Sequence, residues 1–144
     1  MDGATPAHMN AIYRVMYYVM ATPKRGLKIA LDMSIKGFEI TGKSDTDYAK
    51  DPATRRSVTG YRIMLNGAYV DWKSKMQQCV TLSSTEAKYV GASQTAQQML
   101  FALRILESLG LKVKMPMNLE VDNTGAIDLA NNWSSSMRTK HIDV

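Results

Sequence analysis

Residues 57–75 read SVTGYRIMLNGAYVDWKSK and describe a β-hairpin. The apolar positions on both sides of the centre are rich in β-branched and aromatic residues, which favour strands. Asn66-Gly67 between them is typical of a two-residue hairpin turn. We therefore predict one strand over Ser57–Leu65 and its partner over Ala68–Lys75.

The segments before the hairpin also predict strands, preceded by a helix. Leu27, Ile29 and Leu31 alternate, and a second extended run leads from Phe38 to Ala49. Further upstream, Thr5-Pro6 combines an N-cap residue with proline at the first helical position. Pro23 and Gly26 end that helix.

A long helix and a short strand–helix unit follow the hairpin. Ser83 to Glu86 fits a capping box, and apolar residues continue near a 3.6-residue period until Gly110. Leu119–Asp122 then predicts a short strand, and Asn123-Thr124 caps a helix over Gly125–Ala130. This order predicts an α/β (α+β) fold, in which a mixed sheet is flanked by helices.

The composition fits one globular domain. The chain has 144 residues, of which 45% are hydrophobic, and no apolar run approaches the length of a membrane span. No basic start followed by an apolar block marks a secretory signal, so we expect an intracellular protein. The single cysteine, Cys79, excludes an internal disulfide and a cysteine-rich zinc site.

The positive charge is unevenly distributed. The net charge is +5, and residues 42–82 hold seven Lys or Arg against four acidic residues, whereas residues 83–144 hold six of each. A basic stretch of this kind suits a polyanion such as nucleic acid. A solvated surface is the alternative that charge alone leaves open.

Three acidic residues occupy distinctive places. Asp45 lies within a predicted strand, Glu86 starts the long helix and Asp122 ends a short strand. Carboxylates brought together in such a sheet repel one another unless cations neutralise them, and clusters of oxygen ligands suit Mg²⁺. Two such ions can promote phosphodiester cleavage.

Each acidic residue also has a structural alternative. Glu86 can serve only in the capping box, and Asp122 can be the N-cap of the next helix. Asp45 can be a surface residue at a strand end, with Asp47 and Asp51 as competitors for its role; Asp51 before Pro52 is typical of a turn.

Six ordered motifs carry a resemblance that extends from about His8 to the last residue. They are Ser44-Asp45-Thr46-Asp47-Tyr48-Ala49, Arg55-Arg56-Ser57-Val58-Thr59-Gly60-Tyr61, Trp72-Lys73-Ser74-Lys75, Leu82-Ser83-Ser84-Thr85-Glu86-Ala87-Lys88-Tyr89, Val121-Asp122-Asn123 and Arg138-Thr139-Lys140-His141-Ile142-Asp143. Together they closely resemble the ribonuclease H domain of copia-type LTR retrotransposon polyproteins.

The resemblance implies a ribonuclease H-like fold that hydrolyses the RNA strand of an RNA–DNA hybrid. It implies two Mg²⁺ ions, with Mn²⁺ as a substitute, held by four acidic residues, of which Asp45, Glu86 and Asp122 match the first three. It also divides the chain into a helical segment, 1–26, resembling the end of the reverse-transcriptase connection, and a ribonuclease H-like domain, 27–144. A fused reverse transcriptase is the implied partner.

The sequence departs from the family pattern in two ways. The fourth acid and the fifth strand are expected beyond Val144, so we expect an unpaired sheet edge that invites homodimerisation. Lys88 stands where the family usually has a second acid. We expect it to make the surface more basic without affecting the three acids.

Seven further residues are candidates for substrate binding. Side chains beside the acids would reach the minor groove of the hybrid, where 2′-hydroxyls mark RNA, and basic side chains would contact phosphates. These are Ser83, Asn123 and Thr124 for the groove, and Arg55, Arg56, Lys73 and Lys75 for the phosphates. The alternatives to hydrolysis are a module that binds hybrid or duplex and cuts poorly or not at all, or an assembly domain of a larger polyprotein.

Overall fold

The computed structural model describes residues 3–27 and 29–132, and these form a four-stranded mixed sheet with three helices. This α+β architecture confirms the predicted class and is consistent with a ribonuclease H-like fold. The elements are α1 (Pro6–Ala21), β1 (Ile40–Asp47), β2 (Val58–Leu65), β3 (Ala68–Met76), α2 (Ser84–Ser108), β4 (Asn118–Val121) and α3 (Thr124–Asn132). The strand order is β3-β2-β1-β4.

The predicted hairpin is confirmed as β2 and β3. The two strands pair antiparallel from Val58 opposite Met76 to Leu65 opposite Ala68, with one irregularity after Ile63. Asn66 and Gly67 form the turn with φ angles of 45° and 79°. This is the left-handed region that asparagine and glycine tolerate best, which explains why these two residues fix the turn.

A parallel pair of strands is formed across a long separation in sequence. β4 lies beside β1 in parallel register, with Thr41 opposite Asn118 and Ser44 opposite Val121. The connection between β1 and β4 passes through β2, β3 and α2, and α2 packs across β1 and β2. The order thereby places the ends of β1 and β4 next to each other.

The apolar core lies under the C-terminal half of α2. Ile40, Ile63 and Met99 are fully buried, and partly buried apolar residues surround them. Gly42 lets Met99 approach the sheet, because a methyl group at Gly42 would overlap the Met99 side chain. Burial of side chains of this size contributes about 1.5–3 kcal/mol each relative to exposure.

One predicted strand is absent. Leu27, Ile29 and Leu31 alternate as a strand would, but they belong to none of the four strands and are about half to two-thirds exposed. Alternation produces a strand only where a neighbour accepts the backbone hydrogen bonds. Here the chain turns instead at Asp32, whose carboxylate accepts bonds from the Ser34 amide and hydroxyl.

The first helix is present as predicted, and none of its residues is buried in the part of the chain that the structure describes. Thr5 is its N-cap residue, with His8 completing the capping box, and α1 has no buried residues. The predicted division at residue 26 stays a prediction. Within the described part of the chain, no helix is both long and apolar enough to cross a membrane. The Arg138–Asp143 motif lies outside the described residues.

Candidate functional site

Asp45 and Asp122 come together where the pairing of the parallel strands ends. Ser44 and Val121 are the last pair, and the next residue of each chain segment is an aspartate: Asp45 within β1 and Asp122 just after β4. Both carboxylates are accessible, with 77% of the Asp45 side chain and 59% of the Asp122 side chain exposed. The strand pairing that predicts their proximity is therefore present.

Lys88 of α2 lies between the two aspartates. Its ammonium forms an ion pair with Asp122 Oδ2 and lies 3.5 Å from Asp45 Oδ1. Only 16% of the Lys88 side chain is exposed. The expectation that Lys88 would leave the three acids unaffected is wrong, because a long side chain on this face of α2 reaches both carboxylates.

The two aspartates keep Lys88 charged. Partial burial alone lowers the pKa of Lys88, but the hydrogen bond and charge of Asp122, followed by the charge of Asp45, outweigh it. The pKa of Lys88 is therefore raised above its ordinary value. The ammonium is a permanent cation at neutral pH.

Close helix packing positions Lys88. One turn after Lys88, Gly91 is buried against the sheet, and a methyl group there would overlap Thr46 Oγ1 and approach Ser44 Oγ and Thr59 Cγ2 to 3.2 Å. Gln77 supports the same region, since its amide donates to Thr59 Oγ1 at 2.8 Å and to the Ala87 carbonyl at 2.9 Å. α2 is thereby held near β1.

Glu86 makes contacts at the beginning of α2. Its carboxylate accepts a hydrogen bond from the Leu82 amide at 2.6 Å, and its own amide donates to Ser83 Oγ at 3.1 Å. Ser83 is the N-cap residue of α2. The Ser83 half of the predicted capping box is thus present, and the Glu86 carboxylate bonds the amide of the residue before the N-cap, while a role of Glu86 in metal binding stays a prediction.

The acidic residues do not fit a two-Mg²⁺ site as they stand. Among residues 3–27 and 29–132, no group of three or more His, Cys, Asp or Glu side chains is placed to hold a metal ion. Mg²⁺ requires near-octahedral oxygen ligands, whereas Asp45 and Asp122 already share the Lys88 ammonium.

The residues after Asp122 organise α3. Asn123 Oδ1 accepts a hydrogen bond from the Ala126 amide at 2.8 Å, which makes Asn123 the cap of this helix. The alternative in which Asp122 is the N-cap is wrong, because α3 begins at Thr124. Thr124 itself is exposed next to the aspartates in sequence.

The connection from β1 to β2 contains a basic loop, Lys50–Arg56, at the same end of the sheet as Asp45. Arg55 and Arg56 are exposed in the connection from β1 to β2, and the Arg55 amide donates to the Asp51 carbonyl at 2.8 Å. Asp51 also accepts from the amides of Ala53 and Thr54, as its predicted turn role requires. The Thr54 hydroxyl is the main cause that lowers the pKa of Asp51.

Lys73 and Lys75 occupy the edge strand β3. They pair with Tyr61 and Thr59 of β2, which in turn pair with Ser44 and Thr46 of β1. The two lysines are exposed, and their backbones lie two strands from Asp45, or about 10 Å. Their side chains lie on the α2 face of the sheet, because they pair through β2 with Ser44 and Thr46, whereas Asp45 points to the other face. They lie beside a polar groove between β3 and α2, lined in part by Gln94, Gln97 and Gln98.

A shallow depression beside Asp45 contains residues that the sequence analysis did not select. Its volume is about 440 Å³, and its lining includes Lys43, Arg62 and Trp72. Trp72 is 57% exposed, which is unusual for a large aromatic residue. Strand alternation could have identified this group, because Arg62 pairs directly with both Lys43 and Trp72.

Known proteins similar to this chain include retrovirus-related Pol polyproteins from plant transposons. The Pol polyprotein from transposon TNT 1-94 of Nicotiana tabacum is 38% identical over 138 residues, 95% of this chain and 10% of the relative. That from transposon RE1 of Arabidopsis thaliana is 33% identical over 146 residues, covering all of this chain and 10% of the relative. The secreted RxLR effector protein 161 of Plasmopara viticola is 41% identical over 93 residues, 65% of this chain and 63% of the relative.

The other comparisons add no match. No family model matches the chain, and no solved structure matches it. The chain spans about a tenth of the length of the Pol polyproteins it matches. Its homologues are thus retrovirus-related Pol polyproteins from plant transposons, which supports a retrotransposon origin for this chain.

Proposed function

We propose that this chain is the ribonuclease H module of a copia-type retrotransposon Pol polyprotein and that it binds RNA–DNA hybrids. One observation carries the proposal: Asp45 and Asp122 lie side by side where parallel β1 and β4 adjoin, both in contact with Lys88 of α2, with the Arg55-Arg56 loop at the same end of the sheet. The similarity to Pol polyproteins over nearly the whole chain supports it.

Binding would rest on phosphate contacts and on one exposed aromatic residue. The Arg55 and Arg56 side chains would neutralise backbone phosphates without reading sequence, and Lys73 and Lys75 would extend this surface. Trp72, with Arg62 and Lys43 around it, offers a face for stacking or sugar contact.

The minor groove would be read from the helix beginnings. Ser83 and Asn123 already accept backbone hydrogen bonds as caps, so their remaining hydrogen-bonding capacity would meet the 2′-hydroxyls. Thr124, which is exposed, would join them.

Hydrolysis of the RNA strand is the finer part of this proposal. Asp45, Glu86 and Asp122 are the proposed catalytic and metal-binding residues, with Mg²⁺ or Mn²⁺ as the ion. The ion pairs of Lys88 favour a second candidate, in which the module holds the hybrid and cuts it slowly or not at all. A fused reverse transcriptase, a homodimer formed through a sheet edge and an intracellular location belong to the same proposal.

Fluorescence anisotropy with a labelled RNA–DNA hybrid tests binding. The double variant Arg55→Glu/Arg56→Glu should weaken affinity and reduce the salt dependence. The matched control is Arg104→Glu/Lys112→Glu, which makes the same charge change near the C-terminal end of α2, whereas the proposed site lies at its N-terminal end. Equal affinity and equal salt slope for both double variants would refute the basic loop as a contact.

Cleavage of the same hybrid tests hydrolysis. The RNA strand is labelled, and Mg²⁺ and Mn²⁺ are compared for the unaltered chain and for Asp45→Asn. RNA cleavage that is lost in Asp45→Asn supports the enzyme. Tight hybrid binding without cleavage supports the binding module, and no preference for hybrid over double-stranded DNA would refute both.

A further inference from the structure

We propose that the Lys88 ammonium permanently takes the place of a divalent cation between Asp45 and Asp122. The proposal rests on the same site as the proposed function and concerns what occupies it. It makes the aspartate pair a site whose negative charge is partly compensated by the protein itself and whose carboxylate oxygens are already engaged, so that it has little affinity for divalent metal ions.

The geometry gives Lys88 contact with both carboxylates at once. Its ammonium pairs with Asp122 Oδ2 and lies 3.5 Å from Asp45 Oδ1. The two aspartates are 77 positions apart in sequence, Asp45 in β1 and Asp122 directly after β4, and Lys88 comes from a third element, α2. A single cation joining three elements in this way has the position that a bridging ion would have.

The side chain of Lys88 is held more tightly than an ordinary surface lysine. Only 16% of it is exposed, whereas Lys50 in the surface ion pair with Asp47 is 65% exposed. Because Gly91 has no side chain, α2 can lie close to β1, where any added side chain would overlap Thr46. Lys88 therefore starts from a backbone position that leaves its ammonium beside the aspartates.

Competition with a metal follows from charge and tethering. Lys88 supplies one positive charge and no ligand atom, so an entering ion would have to displace it while meeting its repulsion. The tethered ammonium is always present, whereas a free ion must be bound from solution. Replacement of Lys88 by an acid removes the competitor and adds an oxygen ligand in the same place.

Titration with Mn²⁺ alone, followed by electron paramagnetic resonance, tests the proposal without nucleic acid. Lys88→Glu should bind Mn²⁺ about tenfold or more tightly than the unaltered chain, because the site then contains three carboxylates. Lys114→Glu is the matched control, since it makes the same charge change beside Glu39 at the opposite end of β1. The double variant Lys88→Glu/Asp45→Asn should lose the gain.

A stability measurement keeps the proposal testable if Lys88→Glu does not fold. Lys88→Met removes the ammonium and leaves the two carboxylates facing each other. Millimolar Mn²⁺ should raise the unfolding temperature of Lys88→Met and leave that of the unaltered chain unchanged.

Tight Mn²⁺ binding by the unaltered chain that depends on Asp45 would overturn the proposal. An equal gain in Lys114→Glu, or no stabilisation of Lys88→Met, would also overturn it. Hybrid binding is measured separately with the Arg55→Glu/Arg56→Glu pair. Failure of the metal prediction therefore leaves hybrid binding standing, and loss of hybrid binding leaves the metal prediction standing. Metal-dependent cleavage that Asp45→Asn abolishes would support the enzyme and overturn the metal prediction.

Discussion

The two halves of α2 pack against the same sheet by different means. In the N-terminal half, the buried residues are Ala87, Gly91 and Thr95, which meet small polar side chains of β1 and β2. In the C-terminal half, Met99 packs into an apolar cluster with Ile40 and Ile63.

The difference separates stability from site geometry. Apolar burial under Met99 supplies most of the hydrophobic stabilisation, whereas the close approach at Gly91 sets where Lys88 lies. A change in the C-terminal half should therefore alter stability with little effect on the site. A change in the N-terminal half should alter both stability and the site.

Met99→Ala should have the largest effect on stability. Met99 is 3% exposed, and truncation of a buried methionine costs about 2–5 kcal/mol because of lost burial and the cavity left behind. Urea unfolding measures the loss, and hybrid affinity of the folded variant should be unchanged. Leu100→Ala, at a neighbouring position that is 46% exposed, should cost much less. A similar loss in both variants would mean that the core is not where we place it.

Gly91→Ala should have the next largest effect and should also disturb the site. The added methyl overlaps Thr46 Oγ1, and overpacking of this kind costs about 1–3 kcal/mol, which outweighs the higher helix propensity of alanine. Hybrid affinity should fall because Ser83, a proposed groove contact at the beginning of α2, shifts with the helix. Ser93→Ala on the exposed side of the same turn is the control, and an affinity equal in both variants would contradict the link.

Lys88→Met should destabilise the protein by about 1 kcal/mol at low ionic strength, since its partners are largely exposed. The effect should shrink as salt is added because salt screens the repulsion between Asp45 and Asp122. Chemical unfolding at two salt concentrations measures both. Lys50→Met, in the exposed pair with Asp47, should cost less. Equal costs would show that Lys88 behaves as an ordinary surface lysine.

The pH dependence should show the smallest effect. The pKa of Lys88 is raised in the folded chain, so its contribution is fully present below the ordinary lysine value, about 10.4, and is lost as pH rises through the raised value. The unfolding temperature of the unaltered chain should therefore fall more steeply above that pH than the unfolding temperature of Lys88→Met. If the unfolding temperatures of the two proteins fell equally with rising pH, the ion pairs of Lys88 would not contribute to stability.

Much of the fold could be predicted because each element carries a local pattern. The Asn66-Gly67 turn, the capping box at Ser83 and the stop at Gly110 lie where propensity and backbone conformation agree. The false strand over residues 27–31 shows the limit of this reasoning. Alternation is local, whereas the partner that a strand needs is a tertiary property.

The site was predicted less completely for a similar reason. Asp45 and Asp122 could be predicted as strand-end residues, but which residue of α2 faces them depends on the rotation of the helix. Glu86 and Lys88 flank the buried Ala87 on opposite sides, so helical periodicity alone does not decide between them. The sheet order supplies the missing information. Because β4 lies on only one side of β1, Asp122 lies on that side, where the Lys88 ammonium meets it.

The parallel register of β1 and β4 also has a kinetic consequence. Contacts between residues so far apart in sequence carry a large loop-closure entropy, which slows their formation. The aspartate pair exists only once β4 has docked beside β1. Occupation of this place by Lys88 would then serve as a readout of completed folding, visible in real time as the appearance of its protected ammonium.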